Sequence, residues 1–205
     1  METLWAHLGM RIGAQSIGHI SHVNGRLFAW LIGLRDAKFV VGYSSPELDL
    51  AMLRGEVDAR TNNADDVVRR NPDWVEKGLV DFQVIFKAPK EDKNPRFDHL
   101  PELETFAKTE RERRILAMSR TMRVAGVPYI LPPNTPKDPA DTLREAMRKT
   151  FRDPDFHREF RRLAGDQPTP LMPEEQEKAI RALPREPALV ELFKQIAGSG
   201  PLPPR

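Results

Sequence analysis

Met10-Arg-Ile-Gly-Ala-Gln-Ser-Ile-Gly-His-Ile-Ser-His-Val-Asn-Gly-Arg-Leu-Phe-Ala-Trp-Leu-Ile-Gly33 reads as a short strand, a polar Gly/Ser turn and an apolar helix. The strand covers Met10 to Gln15. From Ser16 the apolar residues Ile20, Val23, Leu27, Trp30 and Leu31 recur at intervals of three and four, and Gly33 stops the helix. A helix that opens in small polar residues presents unpaired backbone N–H groups at the positive end of its dipole, which is where anions bind. The segment lacks both the spaced glycines of a dinucleotide loop and the Gly-Lys-Ser/Thr of a P-loop. The anion it suits is therefore a carboxylate rather than a nucleotide.

Downstream, the alternation continues. Phe39-Val-Val-Gly-Tyr43 is a run of β-formers closed by Ser44 and Ser45. Ser45-Pro46-Glu47 is a helix start, with a capping serine, a proline at the first helical position and an acid in the first turn. Leu48, Met52 and Leu53 supply that helix with a buried face, Gly55 ends it, and Val57-Asp-Ala-Arg60 follows as a third strand. Strand, helix, strand, helix, strand within about fifty residues is the pattern of βαβ units and a parallel sheet, so the fold class is α/β. In such sheets ligands bind beyond the carboxyl ends of the strands. That rule selects Gln15–Ser21, Tyr43–Pro46 and Arg60–Asn63 as one convergent rim.

Asp65–Arg70 and Asp73–Lys77 read as helical pieces, Leu79–Phe86 as an alternating strand, and the proline-containing stretch 87–101 as a loop. Glu102–Arg123 is a charged helical stretch with room for one break. Val127–Leu131 reads as a strand entering the turn Pro132-Pro-Asn-Thr-Pro136. After a cap at Asp138/Asp141 come two amphipathic helices, with apolar faces Leu143, Ala146, Met147 and Phe151, then Phe156, Phe160 and Leu163. Pro173–Leu183 and Ala188–Ala197 are short helices between prolines. The tail Gly198–Arg205 is expected to be mobile.

Composition narrows the function classes. The 205 residues suffice for one good core or two small lobes, and 40% apolar with 30% charged residues describes a globular chain. Thirty-two Lys and Arg against thirty Asp and Glu leave a formal charge of +2, so a nucleic-acid partner is not implied. The basic residues Arg144, Arg148, Lys149, Arg152, Arg158, Arg161 and Arg162 are diluted by Glu145, Asp153, Asp155 and Glu159, and the interleaved phenylalanines have core spacing. Zero cysteines exclude disulfides, thiolate metal sites and cysteine nucleophiles. No apolar run is long enough for a membrane span. The opening residues show neither a basic region nor a cleavage site, so no signal peptide is expected, which fits a cytoplasmic protein or a mature or truncated form.

No catalytic apparatus is expected either. His19 and His22 have a metal-compatible spacing without a partner Glu, and read better as polar helix-entry residues. None of Ser16, Ser21, Ser44 and Ser45 lies in Gly-x-Ser-x-Gly. The acid pairs Asp65-Asp66, Glu174-Glu175 and Asp153/Asp155 stand beside helix starts, where carboxylates serve as caps and dipole partners. No metal and no cofactor are expected.

Several stretches together resemble the solute receptors of tripartite tricarboxylate transporters, the Bug-type periplasmic binding proteins. They are Gly13-Ala-Gln-Ser-Ile-Gly-His19 and its helix, Phe39-Val-Val-Gly-Tyr-Ser-Ser-Pro-Glu-Leu-Asp-Leu-Ala-Met-Leu-Arg-Gly-Glu-Val-Asp-Ala-Arg60, Pro132-Pro-Asn-Thr-Pro136, and the Leu143 helix leading to Arg152-Asp-Pro-Asp-Phe156. The resemblance implies a type 2 periplasmic-binding-protein-like fold, with one fairly complete α/β lobe in residues 1–123. Residues 124–205 would be a mainly helical C-terminal segment of an incomplete first lobe. It implies a non-enzymatic solute-binding protein that delivers a small organic acid to membrane transporter subunits in the periplasm. Carried over by position, the ligand-binding residues would be Gln15, Ser16, Ile17, Gly18, His19, Tyr43, Ser44, Ser45 and Asn62. An incomplete lobe would expose Tyr129, Ile130, Leu131 and the Leu143 helix, a surface that a homodimer would cover. The alternative is a ligand-less interaction or dimerisation module that keeps the receptor fold.

Overall fold

A computed structural model of the chain describes residues 8–86, 94–126, 128–164, 168 and 170–205, without the side chains of Val124, Ala125 and Ala164. The chain forms two compact units, one of Met1–Leu116 with Pro184–Arg205 and one of Ala117–Leu183.

The first unit is built on the stretch from Met10 to Gly33. Strand β1, Arg11–Ala14, is the middle of a three-stranded parallel sheet of order β2-β1-β3, between β2, Lys38–Val41, and β3, Ala59–Arg60. Ile12 lies opposite Phe39 on one side and Ala59 on the other. The mixed α/β class and the parallel pairing are therefore as the alternation of elements implies. The third strand is shorter than Val57–Arg60: Val57 is buried beside the sheet, while Asp58 donates its N–H to the Arg11 carbonyl at 2.8 Å.

Helix α1, Ile20–Ile32, follows β1 and ends at Gly33, whose left-handed backbone (φ 72°) lets its N–H return to the Ala29 and Trp30 carbonyls. From Ser21 onward all but Asn24 are buried, including Ser21, His22, Gly25 and Arg26 on the face that sequence periodicity leaves polar. Helix α2, Ser45–Leu53, packs so close to β1 that a Cβ on Gly13 would stand 2.6 Å from a Leu48 methyl. Two further short helices, α3 (Ala64–Arg70) and α4 (Pro72–Glu76), hold a small cluster of Val67, Trp74 and Phe97. Val80, Phe82 and Ile85 pack against that cluster, and Leu79–Phe86 makes no strand, only an isolated bridge from Ile85 to Glu102. An alternating pattern signals one apolar face, and here a helical cluster takes that face in place of a partner strand.

The expected break in Glu102–Arg123 is real. A 3-10 turn at Leu103–Phe106 precedes helix α5, Glu110–Ala125. In the second unit, helices α6 (Lys137–Arg152), α7 (Pro154–Ala164) and α8 (Pro173–Arg181) follow. Asp138 sits in the first turn of α6 and not at its cap, which is Pro136. Residues 128–131 form no strand, and Val127 lies outside the described residues. Tyr129, Phe151, Phe156 and Phe160 make a chain of tilted rings with centroids 5.8 to 6.5 Å apart.

The last helix, α9 (Pro187–Ala197), belongs to the first unit. It packs Leu189, Leu192, Phe193 and Ile196 inward, and its main packing partner is α1. The tail beyond it is bonded back to the first unit at two points. Arg26 donates to the Gly200 carbonyl at 2.8 Å, and Arg205 ion-pairs with Glu112 and donates to the Phe106 carbonyl at 3.0 Å. Among the described residues no helix is long and apolar enough to cross a membrane.

Candidate functional site

The sheet brings two of the selected loops together at the carboxyl ends of adjacent parallel strands. The Gly42 N–H donates to the Gln15 carbonyl at 2.9 Å, continuing the ladder past β1 and β2 and joining the Gln15–His19 turn to the loop that starts α2. Within the turn, Ser16 accepts from the His19 N–H at 3.1 Å, and Gly18 takes the left-handed conformation (φ 80°) that a residue without Cβ adopts without strain. His19 is the N-cap of α1, its Nδ1 accepting from the Ser21 N–H at 3.2 Å.

Internal partners take four of the amides at this entry. Besides those of His19 and Ser21, the Gln15 N–H goes to Ser21 Oγ at 3.3 Å and the Gly18 N–H to His22 Nδ1 at 3.4 Å. The amides of Ser16 and Ile17 find no acceptor among the described residues. No acid occupies the first turn of α1, so no side-chain carboxylate of that turn competes for its positive end. Ile17 (57% exposed) and Ile20 place apolar surface beside the two amides.

The remaining selected residues are committed to their own neighbours. The Tyr43 hydroxyl donates to Glu56 at 3.3 Å, and burial followed by the Glu56 charge raises its pKa. The Ser44 N–H donates to the Glu47 carboxylate at 2.6 Å, which holds Glu47 below the usual carboxylate range. Asn62 accepts from the Asn63 N–H at 2.9 Å. Ser45 faces inward: its carbonyl accepts from Arg60 at 2.7 Å and its hydroxyl from Arg60 at 2.8 Å and Arg70 at 3.0 Å.

That last group is a buried polar network which sequence reading missed. Arg60 pairs with Asp49, both nearly fully buried, while Asn71 donates to the other Asp49 oxygen at 2.9 Å and Arg70 approaches it at 3.5 Å. Burial is the main effect lowering the Arg60 pKa, and the Asp49 charge opposes it. Thr61 lies in the third selected loop; its hydroxyl donates to the Ser21 carbonyl at 3.0 Å and ties the end of β3 to the start of α1. The available signal was Asp49, an acid between Leu48 and Leu50 on a helix, and Arg60, a base at the end of a strand of the same α/β unit.

Chemically, the rim offers backbone donors in the turn before a helix and apolar surface, while the hydroxyls of Ser21, Tyr43, Ser45 and Thr61 are already in use. It defines a mixed α/β chain with one candidate anion-binding turn on its parallel sheet. No protein-family model matches the chain, and no curated protein and no solved structure matches it either.

Proposed function

We propose that the chain is a non-enzymatic binding protein for a small organic acid, held at the Gln15–His19 turn. The observation that carries this reading is the pair of Ser16 and Ile17 amides in the turn that leads into the His19 cap of α1, a turn joined to the neighbouring loop through Gly42 and Gln15. Ile17 and Ile20 would meet an apolar portion of the ligand. The resemblance to Bug-type receptors supports a type 2 periplasmic-binding-protein-like fold, a periplasmic location and delivery to the subunits of a tripartite transporter. Tyr43, Ser44, Ser45 and Asn62 shape the rim in this reading, and Ser45 acts through Arg60 rather than on the ligand.

Thermal melting against a panel of di- and tricarboxylates, aromatic carboxylates and amino acids tests the reading. A ligand at a hundred times its Kd adds about 2.7 kcal/mol of stability. Ser16→Pro deletes one of the two amide donors and is expected to abolish the shift, whereas Ser45→Ala is expected to keep it. A shift that survives Ser16→Pro places the ligand elsewhere.

The second reading, a ligand-less interaction or dimerisation module, is favoured by Tyr129 and Ile130, each 82% exposed, with Leu131, Leu143 and Leu163 also exposed. A dimer on sizing together with a melt that no carboxylate moves would select it.

A further inference from the structure

His22 is nearly fully buried and has no part in the proposed ligand contacts. Its Nδ1 accepts the Gly18 N–H at 3.4 Å, and its ring meets Phe39 edge-on at 5.9 Å. One turn further along α1, the Arg26 guanidinium lies 4.8 Å from the centre of the same Phe39 ring and donates to the carbonyls of Gln195 and Gly200 at 3.1 and 2.8 Å, and to that of Ile196. A continuous series of contacts thus runs from the Gln15–His19 turn through His22, Phe39 and Arg26 to the C-terminal segment.

We propose that His22 is a protonation-sensitive latch, a positioning residue that holds the Gln15–His19 turn through Gly18 when neutral and releases it in acid. The proposal stands on this packing and is independent of whether the turn binds a carboxylate. A neutral imidazole that accepts at Nδ1 carries its proton on Nε2. Adding a proton to Nδ1 sets two donors, the ring N–H and the Gly18 N–H, against each other, so the bond is lost and not merely weakened.

The surroundings offer the new charge nothing. From its own helix His22 faces Arg26, a like charge, with His19 one turn back and engaged with Ser21. From β2 it faces the uncharged ring of Phe39, from the turn the Gly18 amide, and the C-terminal segment presents carbonyls that Arg26 already uses. Burial, and then the Arg26 charge, push the imidazole below its ordinary value of 6.5. The sign follows: as pH falls below that value the unfolded chain takes up the proton before the folded one. Stability is therefore lost from there down through the folded value.

The test is NMR of the full chain, 15N-labelled, titrated from about pH 8 to about pH 5. The Gly18 amide is expected to shift with the same midpoint as the His22 ring, below that of an ordinary imidazole. In His22→Gln, whose carboxamide oxygen can accept from Gly18 without titrating, that midpoint is expected to vanish from Gly18. The fall in the urea midpoint between about pH 7.5 and about pH 5.5 is expected to shrink about twofold or more. A Gly18 amide that does not follow His22 in the wild-type chain overturns the proposal, as does a midpoint that persists in His22→Gln. Should the variant fail to fold, the wild-type comparison of Gly18 with His22 decides alone.

Discussion

The guanidinium of Arg26 donates to the carbonyl oxygen of Gly200, 174 positions away in the chain, at 2.8 Å. Arg26 is 2% exposed, and the carbonyls of Gln195 and Ile196 at the carboxyl end of α9 also accept from it. A cation at that end meets the negative pole of the helix, which offsets part of its desolvation. Arg26→Met keeps the apolar stem and deletes the donors, leaving the buried Ile196 carbonyl and the part-buried Gln195 and Gly200 carbonyls without them. The expected loss is about 3 kcal/mol, read as a lower urea midpoint. A variant as stable as wild type would show that these bonds contribute nothing.

Glu112 anchors the other side of the C-terminal tail. The bond from Arg205, followed by the amides of Thr109 and Lys108, holds its carboxyl down at about 2, against an ordinary 4.5. A depressed acid contributes stability that is present above the unfolded value and is lost as pH falls through the folded one. The chain is therefore expected to lose this contribution between 4.5 and about 2. Glu112→Gln should remove about 2 kcal/mol at neutral pH and little at the acid end, measured by chemical denaturation at both.

The Asp49–Arg60 pair carries the opposite risk to a surface ion pair. Asp49→Ala strands the buried Arg60 guanidinium and is expected to cost about 3 to 5 kcal/mol. Ser45→Ala removes an acceptor shared by Arg60 and Arg70 and is expected to cost about 1 kcal/mol. Denaturation midpoints of the two variants check the order of these effects. Equal losses would show that Asp49 does not hold the network.

Gly25 tests packing against propensity. In an isolated helix Gly→Ala stabilises by about 1 kcal/mol. Here the added Cβ would stand 2.8 Å from an Ile12 methyl, where α1 crosses β1. Gly25→Ala is therefore expected to destabilise by about 1 to 3 kcal/mol, and in an Ile12→Ala background, which lacks that methyl, the same change is expected to cost less. A more stable single variant would mean that the sheet yields to the helix.

The parts of the fold legible in the sequence were those with local causes. Gly33 ends α1 through its own backbone, and the start of α2 was legible to within one residue, since Ser44 and not Ser45 is the cap and Pro46 stands second in the helix; the residues from Met10 to Arg60 announce βαβ order by period and punctuation. The Gln15–His19 turn and the Gly42 loop could be placed on one rim because parallel topology puts strand ends together. Leu79–Phe86 and residues 128–131 have strand-like composition and form no strand, since a strand exists only if another backbone is there to pair with it.

The sequence by itself determined the order of helices and strands around β1 and the chemistry available at each strand end, because capping, periodicity and the βαβ rule act over a few residues. Only the tertiary structure decided that Ser45 turns inward to Arg60 and Arg70, that His22 and Arg26 share Phe39, and that the last helix returns to α1. Those arrangements depend on which distant surfaces meet, and burying an ionic or imidazole side chain becomes tolerable only once the far partner has arrived.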